Sequence, residues 1–309
     1  MKMTTLLAGT TAILLSAAIG AEAAPARPAI TGVSHLSVYS ADMAKSDAFY
    51  THHLGAVKGT DPEDAKGVRY YFNARQFVEV LPLPAGAGIN RMDHGAFNTA
   101  DAEALRKYLA AAKIAVPKKV TVGSDGSKYF RVKDPEGNTI EFVEAGKTPL
   151  TIAAVSPSNR IIHFGMIVHS KAVEDPFYRT VLGFKPYWFG GMTVENPAWI
   201  SQQVPDGNEW VEYMVVKGPE TKGIPADMSQ ANAGVLNHFA LGVGNMEKTV
   251  TILTGGERLS EKNDGPKIGR DGKWQFNMYD PDGTRAEFME FHAVNTPCCS
   301  PFTATDPTE

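Results

Sequence analysis

Histidine and glutamate recur along the chain in a pattern that could build metal sites. Four apolar, strand-like segments each contain one histidine, and each is followed by a segment in which a glutamate stands between apolar neighbours. Imidazole nitrogen and carboxylate oxygen suit a borderline divalent cation such as Ni, Zn, Mn or Fe. Two imidazoles and two carboxylates would leave two positions of an octahedral ion for water or substrate. The candidate ligands are His35, Glu79, His94 and Glu141 in the first half and His163, Glu212, His238 and Glu287 in the second.

The neighbours of these residues support a concave site. Side chains of a strand alternate between two faces, so the apolar neighbours of each glutamate pack on one face while the carboxylate projects from the other. We expect each carboxylate to have a partner, because burying it alone is costly. The residue two positions after each histidine is small, which we interpret as space left for a ligand. These small residues are Ser37, Ala96, Gly165 and Ala240.

Two motifs indicate that the chain consists of two homologous halves. The motif F-Y-x-x-x-L-G begins at Phe49 and again at Phe177, and D-P-x-G-x-x-x-E begins at Asp134 and again at Asp280. Within each half, a strand, a helix and several short strands occur twice. The sequence therefore predicts an α+β fold made of four βαβββ modules, two in each half.

Composition is that of a globular protein. The 309 residues are 43% hydrophobic and 21% charged, with a formal net charge of −4. This balance predicts a sizeable core and argues against nucleic acid or an anionic membrane as a partner. Cys298 and Cys299 lie near the C-terminus, so we expect no thiolate metal site in the core. A small molecule is the expected ligand, and no sequence feature sets an oligomeric state.

The chain divides into five predicted segments. The apolar run from Leu6 to Gly20, followed by Ala-Glu-Ala, is typical of a cleaved signal peptide over residues 1–23. We therefore expect a secreted or periplasmic protein without membrane contact after cleavage. The other predicted segments are a first domain over 30–146, a linker over 147–159, a second domain over 160–292 and a disordered tail over 293–309.

The modules and both motifs resemble the vicinal oxygen chelate superfamily, which includes glyoxalase I, bleomycin resistance proteins, methylmalonyl-CoA epimerase and extradiol ring-cleaving dioxygenases. The resemblance covers about Ile30 to Ala145 and Ile161 to Phe291. It implies that each half is a glyoxalase-like domain, a curved mixed sheet around a cleft with helices outside. It also implies that the opening and closing strands of a module are adjacent and that the eight residues named above are metal ligands.

Among these activities, a glyoxalase-like or epimerase-like one resembles the pattern best. Such members have glutamate or glutamine at the positions of Glu79 and Glu212. The resemblance implies a lyase or isomerase that acts on a small substrate with adjacent oxygens through a metal-bound enediolate. It further implies that Glu141 or Glu287 serves as the catalytic base.

An extradiol dioxygenase with Fe(II) in the C-terminal domain is the first alternative. The resemblance would then give the metal to His163, His238 and Glu287. The extradiol signature also has a histidine several residues before a tyrosine that precedes D-P-x-G. Here Tyr279 directly adjoins that motif, and residues 262–278 contain no histidine. This departure favours the lyase or isomerase.

A small-molecule binding or resistance protein without turnover is the second alternative. Trp188, Trp199 and Trp210 could line its binding cleft, although aromatic residues at such positions also pack in cores. Eight apparent metal ligands would have no purpose in a protein that only binds its ligand, and so the sequence favours an enzyme.

Overall fold

The computed structural model describes residues 26–86, 91–146, 151–195, 197–216 and 237–309. The predicted signal peptide and residues 147–150 of the predicted linker lie outside these ranges, and export stays a prediction. Among the described residues, no helix combines the length and the apolar character needed to cross a membrane.

The first half forms one sheet with two helices. Its elements are β1 (Ile30–Ser40), α1 (Met43–Ala48), β2 (Val57–Thr60), β3 (Val68–Tyr71), β4 (Phe77–Pro82), β5 (Met92–Thr99), α2 (Ala102–Ala111), β6 (Thr121–Val122), β7 (Lys128–Lys133) and β8 (Thr139–Glu144). The helix α1 continues as a π-helical turn over Phe49–His53. It begins where the Asp42 carboxylate accepts the amides of Ala44 and Lys45, each at 3.2 Å.

The second half repeats this order. Its elements are β9 (Ile161–Val168), α3 (Lys171–Asp175), β10 (Lys185–Gly190), β11 (Trp199–Gln203), β12 (Trp210–Val215), β13 (His238–Val243), α4 (Met246–Gly255), β14 (Asn263–Ile268), β15 (Trp274–Tyr279) and β16 (Arg285–Glu290). The helix α3 also continues as a π-helical turn, over Pro176–Val181. Gly55 and Gly183 follow the two π-helical turns with φ of +76° and +80°, a conformation that glycine adopts without strain.

Each half is an eight-stranded sheet of the predicted α+β type. The strand orders are β2-β3-β4-β1-β5-β8-β7-β6 and β10-β11-β12-β9-β13-β16-β15-β14. The first and last strands of every module are parallel neighbours, and β1 and β9 pair antiparallel with β5 and β13. This order confirms four modules and places the four central strands of each half, which carry the predicted ligands, side by side. The domain limits of 30–146 and 160–292 stay a prediction, while the sheets run from Ile30 to Glu144 and from Ile161 to Glu290.

The two recurring motifs meet at the boundary between the halves. The Tyr50 hydroxyl of the first half donates to Asp280 of the second at 3.0 Å. In the reciprocal contact, the Tyr178 hydroxyl donates to Asp134 at 3.3 Å. All four residues are buried in a core that both sheets share. The motifs that reveal the repeat therefore also hold the two halves together.

The C-terminal tail, residues 293–309, differs from the sequence expectation of disorder. The Thr303 amide donates to Tyr187 of β10 at 2.9 Å, and Asp306 lies 3.1 Å from the ammonium of Lys273. Lys273 is fully buried, and a buried cation requires such a partner. These polar contacts and the ring of Phe302, which lies 5.0 Å from that of Tyr187 between centroids, hold the tail against the second sheet. Its two cysteines are bonded to each other.

Candidate metal centres

The predicted ligands lie in rows that cross the central strands of each sheet. Each row begins with a histidine, passes over the small residue of the next strand and ends with a glutamate. The rows are His35–Ala96–Glu141 and His94–Ser37–Glu79 in the first sheet, and His163–Ala240–Glu287 and His238–Gly165–Glu212 in the second. This register brings residues far apart in sequence onto one face of each sheet.

The four small residues lie next to the histidines in the sheet. Each lies directly opposite the histidine of the neighbouring antiparallel strand. A Cβ atom added to Gly165 would stand 1.9 Å from Cε1 of His238. The space over Gly165 is therefore filled by the imidazole of His238.

In the first sheet, three of the four predicted ligands converge closely. The Nε2 atoms of His35 and His94 are 2.9 Å apart. The carboxylate oxygens of Glu141 lie 3.7 Å from His35 Nε2 and 3.6 Å from His94 Nε2. Glu79 stands at the edge of this cluster, with Oε2 at 4.0 Å from His94 Nε2. We call these four residues the first cluster.

The second sheet repeats this geometry. The Nε2 atoms of His163 and His238 are 3.1 Å apart, and Glu287 Oε2 lies 3.7 Å from His163 Nε2. Glu212 Oε2 lies 3.2 Å from His238 Nε2 but outside the group of three mutually close ligand atoms. We call these four residues the second cluster.

Hydrogen bonds in the first cluster prepare the imidazoles to act as ligands. His94 Nδ1 lies 2.6 Å from Asp93, and His35 Nδ1 lies 3.1 Å from the Ser34 hydroxyl. The carboxylate of Asp93 favours the proton on Nδ1 of His94, which leaves a lone pair on Nε2. Burial lowers the pKa of His94 to about 4 and that of His35 well below 6.5, so both rings are neutral. Oε1 of Glu141 is buried without a hydrogen-bond partner in the described structure, and a metal ion fits that position.

The second cluster also fits a divalent ion. Its His163 ring stacks on Trp210 at 4.6 Å between centroids, and burial lowers the pKa of this histidine. Burial raises the pKa of Glu212 and of Glu287 to about 7, an effect that the charge of Arg285 opposes. Within the ranges that the structure describes, neither carboxylate has a lysine or arginine within 4 Å. The buried carboxylate of Glu287, the partly buried carboxylate of Glu212 and the imidazoles of His163 and His238 are a donor set that a divalent ion completes.

Arginines distinguish the first cluster from the second. Arg131 on β7 pairs in register with Glu141, and its Nε donates to the carboxylate at 2.6 Å. Arg69 on β3 pairs with Glu79 and approaches it to 3.8 Å. The corresponding residues beside Glu287 and Glu212 are neutral, namely Asn277 and Ser201. The glutamates of the first cluster thus carry their own cations, and sequence reasoning missed both arginines.

A cavity of about 320 Å³ opens onto the second cluster. Glu212 and Glu287 line it together with Trp188 and Trp199, while Trp210 packs against the back of a ligand histidine instead. The first cluster borders a cavity of about 340 Å³, which Glu79 and Arg131 line. We call the cavity at the second cluster the second cavity. Of these two cavities, it is the one in which indole rings stand beside carboxylates that have no lysine or arginine partner among the described residues.

The fold is shared with known dioxygenases. Residues 32–142 match the model of the Glyoxalase/Bleomycin resistance protein/Dioxygenase superfamily. A variant of homoprotocatechuate 2,3-dioxygenase from Brevibacterium fuscum has a TM-score of 0.62 at 18% identity, with 88% of this chain and 74% of that chain covered. The 2,3-dioxygenase LapB from Pseudomonas sp. KL28 has a TM-score of 0.61 at 17% identity, with 89% and 97% covered.

A structure of catechol 2,3-dioxygenase has a TM-score of 0.61 at 12% identity and covers 91% of this chain and 94% of its own. No curated protein sequence matches the chain. At these identities the solved structures show a shared fold, and the family model covers the first half of the chain. Residues 32–142 thus match the glyoxalase/bleomycin resistance protein/dioxygenase superfamily, and the second half repeats the strand order of the first, so that the chain has two tandem units of this fold.

Proposed function

We propose that the protein is a divalent-metal-dependent lyase or isomerase that acts at the second cluster on a small substrate with two adjacent oxygens. One observation carries the proposal: Glu212 and Glu287 line a cavity, and neither carboxylate pairs with a lysine or arginine of the described residues. In the first cluster, Arg131 already occupies one oxygen of Glu141. A guanidinium in that position competes with a metal ion for the carboxylate.

The residues of the second cluster have different roles, which follow from their positions. His163, His238 and Glu287 supply the three mutually close ligand atoms and would hold the ion. Bound there, a divalent ion supplies Lewis acidity toward the oxygens of the substrate. Trp188 and Trp199 provide apolar walls that orient the substrate and exclude water.

We assign proton transfer to Glu212. It lies at the edge of the cluster, 3.2 Å from His238 Nε2, and lines the cavity. A carboxylate in this position can take a proton from the carbon beside the substrate oxygens and return it. The family resemblance gave this role to Glu287, but Glu287 belongs to the three-residue group and is better suited to hold the ion.

Ring cleavage is the second candidate function. Two histidines and one glutamate at His163, His238 and Glu287, on a fold shared with three dioxygenases, support it. The described lining of the cavity, however, contains neither histidine nor tyrosine. Tyr279 lines a different cavity and donates to Asp264 at 3.0 Å. These positions favour proton transfer over ring cleavage.

Measurement of the metal content tests which cluster binds a metal ion. We expect elemental analysis of the Zn²⁺-loaded protein to give about one tightly bound equivalent, which His163→Ala loses and His35→Ala keeps. Arg131→Asn places at the first cluster the residue type found beside Glu287, and it should add a second equivalent. Two equivalents in the unmodified protein, or loss of the metal from His35→Ala, would contradict the assignment.

Two activity assays separate the reaction classes. Incorporation of solvent deuterium into hydroxyacetone, tested with each divalent metal, reports proton transfer, whereas oxygen consumption with catechol and Fe(II) reports ring cleavage. We expect deuterium exchange, and we expect Glu212→Gln to abolish it while the metal stays bound. Oxygen consumption without exchange would favour the second candidate.

A further inference from the structure

Arg285 brings an unengaged positive charge into the second cavity. It is the first residue of β16 and lines the cavity together with Glu212 and Glu287. Its Nε is buried and, within the described residues, has no hydrogen-bond partner. No carboxylate of the described chain forms an ion pair with it. A buried guanidinium donor without an acceptor is costly, so the site is incomplete without an anion.

The other two cations of this cavity are already engaged. Lys267 Nζ lies 3.0 Å from the carboxylate of Asp264, and half of its side chain is exposed. Arg270 donates to the carbonyls of Gly191 and Met192 at 3.1 and 3.4 Å. Both therefore hold the loops that form the cavity rim. Arg285 remains as the cation available to a ligand.

The position of Arg285 is specific to the second half. Alternation along β16 places Arg285, Glu287 and Met289 on the face that lines the cavity. The corresponding residue of β8, at the same distance from its glutamate, is Thr139, whose hydroxyl accepts from Lys133 at 2.7 Å. The guanidinium is thus not needed to build the sheet, because the homologous sheet forms without it.

We propose that Arg285 binds a carboxylate of the substrate, so that the second cavity selects small organic acids whose two adjacent oxygens face the second cluster. This inference rests on the proposed function. A divalent ion would balance the charges of Glu212 and Glu287, and the positive charge of Arg285 would then remain available to a ligand in the same cavity. A planar carboxylate can accept two parallel hydrogen bonds from a guanidinium.

Three related probes test this selection. Catechol, protocatechuate and methyl protocatechuate all offer two adjacent oxygens, but only protocatechuate carries a carboxylate. Their binding to the Zn²⁺-saturated protein can be measured by calorimetry, because Zn²⁺ has no redox chemistry and the probes are not consumed. We expect protocatechuate to bind about tenfold or more tightly than its ester, the effect of one charge-assisted contact.

Variants identify the responsible residue. Arg285→Gln should remove the preference for protocatechuate and leave the affinities for catechol and the ester unchanged, and Arg285→Lys should restore part of it. Lys267→Gln, which removes an engaged cation from the same cavity, should keep the preference. Equal affinities for acid and ester in the unmodified protein, or equal weakening of all three probes by Arg285→Gln, would overturn the inference while the proposed function stands. Failure of every probe to bind the metal-saturated protein would overturn both.

Discussion

Removal of the Tyr50 hydroxyl should destabilise the protein more than removal of its counterpart at Tyr178. The Tyr50 hydroxyl donates to Oδ2 of Asp280 at 3.0 Å, whereas the backbone amides that bind this carboxylate reach Oδ1. The Tyr178 hydroxyl donates to Oδ2 of Asp134 at 3.3 Å, but Asn138 Nδ2 also donates to that oxygen, at 2.9 Å. The two contacts occupy equivalent positions in the two motifs. They differ because, among the described residues, Oδ2 of Asp134 keeps a side-chain donor when the tyrosine hydroxyl is removed, whereas Oδ2 of Asp280 does not.

These contacts set the expected free energies. Tyr50→Phe leaves a buried carboxylate oxygen without its donor, which costs about 1–3 kcal/mol, and the charge of the carboxylate places the effect at the upper end. Tyr178→Phe removes one long hydrogen bond while Asn138 still satisfies the acceptor. Its cost should be near the net value of an ordinary hydrogen bond, about 0.5–1.5 kcal/mol. The difference between the two variants should therefore be about 1 kcal/mol or more.

The pH dependence provides an independent check. Burial raises the pKa of Asp280 to about 7, while an unfolded aspartate has a pKa of about 3.9. The folded state holds this proton more tightly, so the contribution to stability is complete below about pH 4 and is lost as the pH rises through 7. The Tyr50 hydroxyl stabilises the charged form, and its removal raises the pKa further. The cost of Tyr50→Phe should therefore be larger at about pH 8 than at about pH 5.

Urea denaturation followed by circular dichroism at both pH values measures these effects. The unmodified protein, Tyr50→Phe and Tyr178→Phe should be compared in the same metal-loaded state, because bound metal adds to stability. Equal losses in the two variants would refute the argument from residual donors. A loss for Tyr50→Phe that shrinks as the pH rises would refute the argument from the Asp280 pKa.

Two further predictions concern the second sheet. Gly165→Ala places a Cβ atom 1.9 Å from Cε1 of His238, and the displaced imidazole should release the metal. Elemental analysis measures this loss of metal. Gly255→Ala is the control, because its Cβ atom meets nothing within 4 Å. Lys273→Met removes the fully buried ammonium that pairs with Asp306, which should cost about 3–5 kcal/mol and free the C-terminal tail for carboxypeptidase digestion. Unchanged digestion of the tail would show that other contacts hold it.

Much of the fold and part of the site can be predicted from the sequence because both repeat. The four modules and the α+β class follow from the repeated order of strand, helix and strands, and the structure confirms them. The histidines and glutamates can be recognised because each module has a histidine in its first strand and a glutamate in its last strand. The periodicity of the sequence does not give the register in which the strands pair. This register brings six of the predicted ligands into two close groups and places Glu79 and Glu212 at the edges of these groups.

The contact between Arg131 and Glu141, which the sequence analysis missed, could have been predicted from the position of a hairpin turn. A tight hairpin places residues at equal distances from its centre opposite each other. The turn around Glu136 therefore puts Arg131 opposite Glu141, as the observed register does. The ordered tail could not be predicted in this way, because single residues such as Phe302 and Asp306 anchor it and leave no periodic pattern.

The comparison of the two clusters shows how duplicated sites can diverge at little structural cost. Each of the four rows contains a histidine, a small residue and a glutamate, and the two sheets share the same backbone register at these rows. The differences lie one strand further out, where Arg69 and Arg131 face the glutamates of the first sheet and neutral residues face those of the second. These outer positions alter the charge beside the ligands without moving the ligands themselves. Because a cation within hydrogen-bonding distance stabilises a carboxylate as a metal ion does, the arginines of the first cluster compete with a metal ion for its glutamates, whereas no lysine or arginine of the described residues pairs with the glutamates of the second cluster.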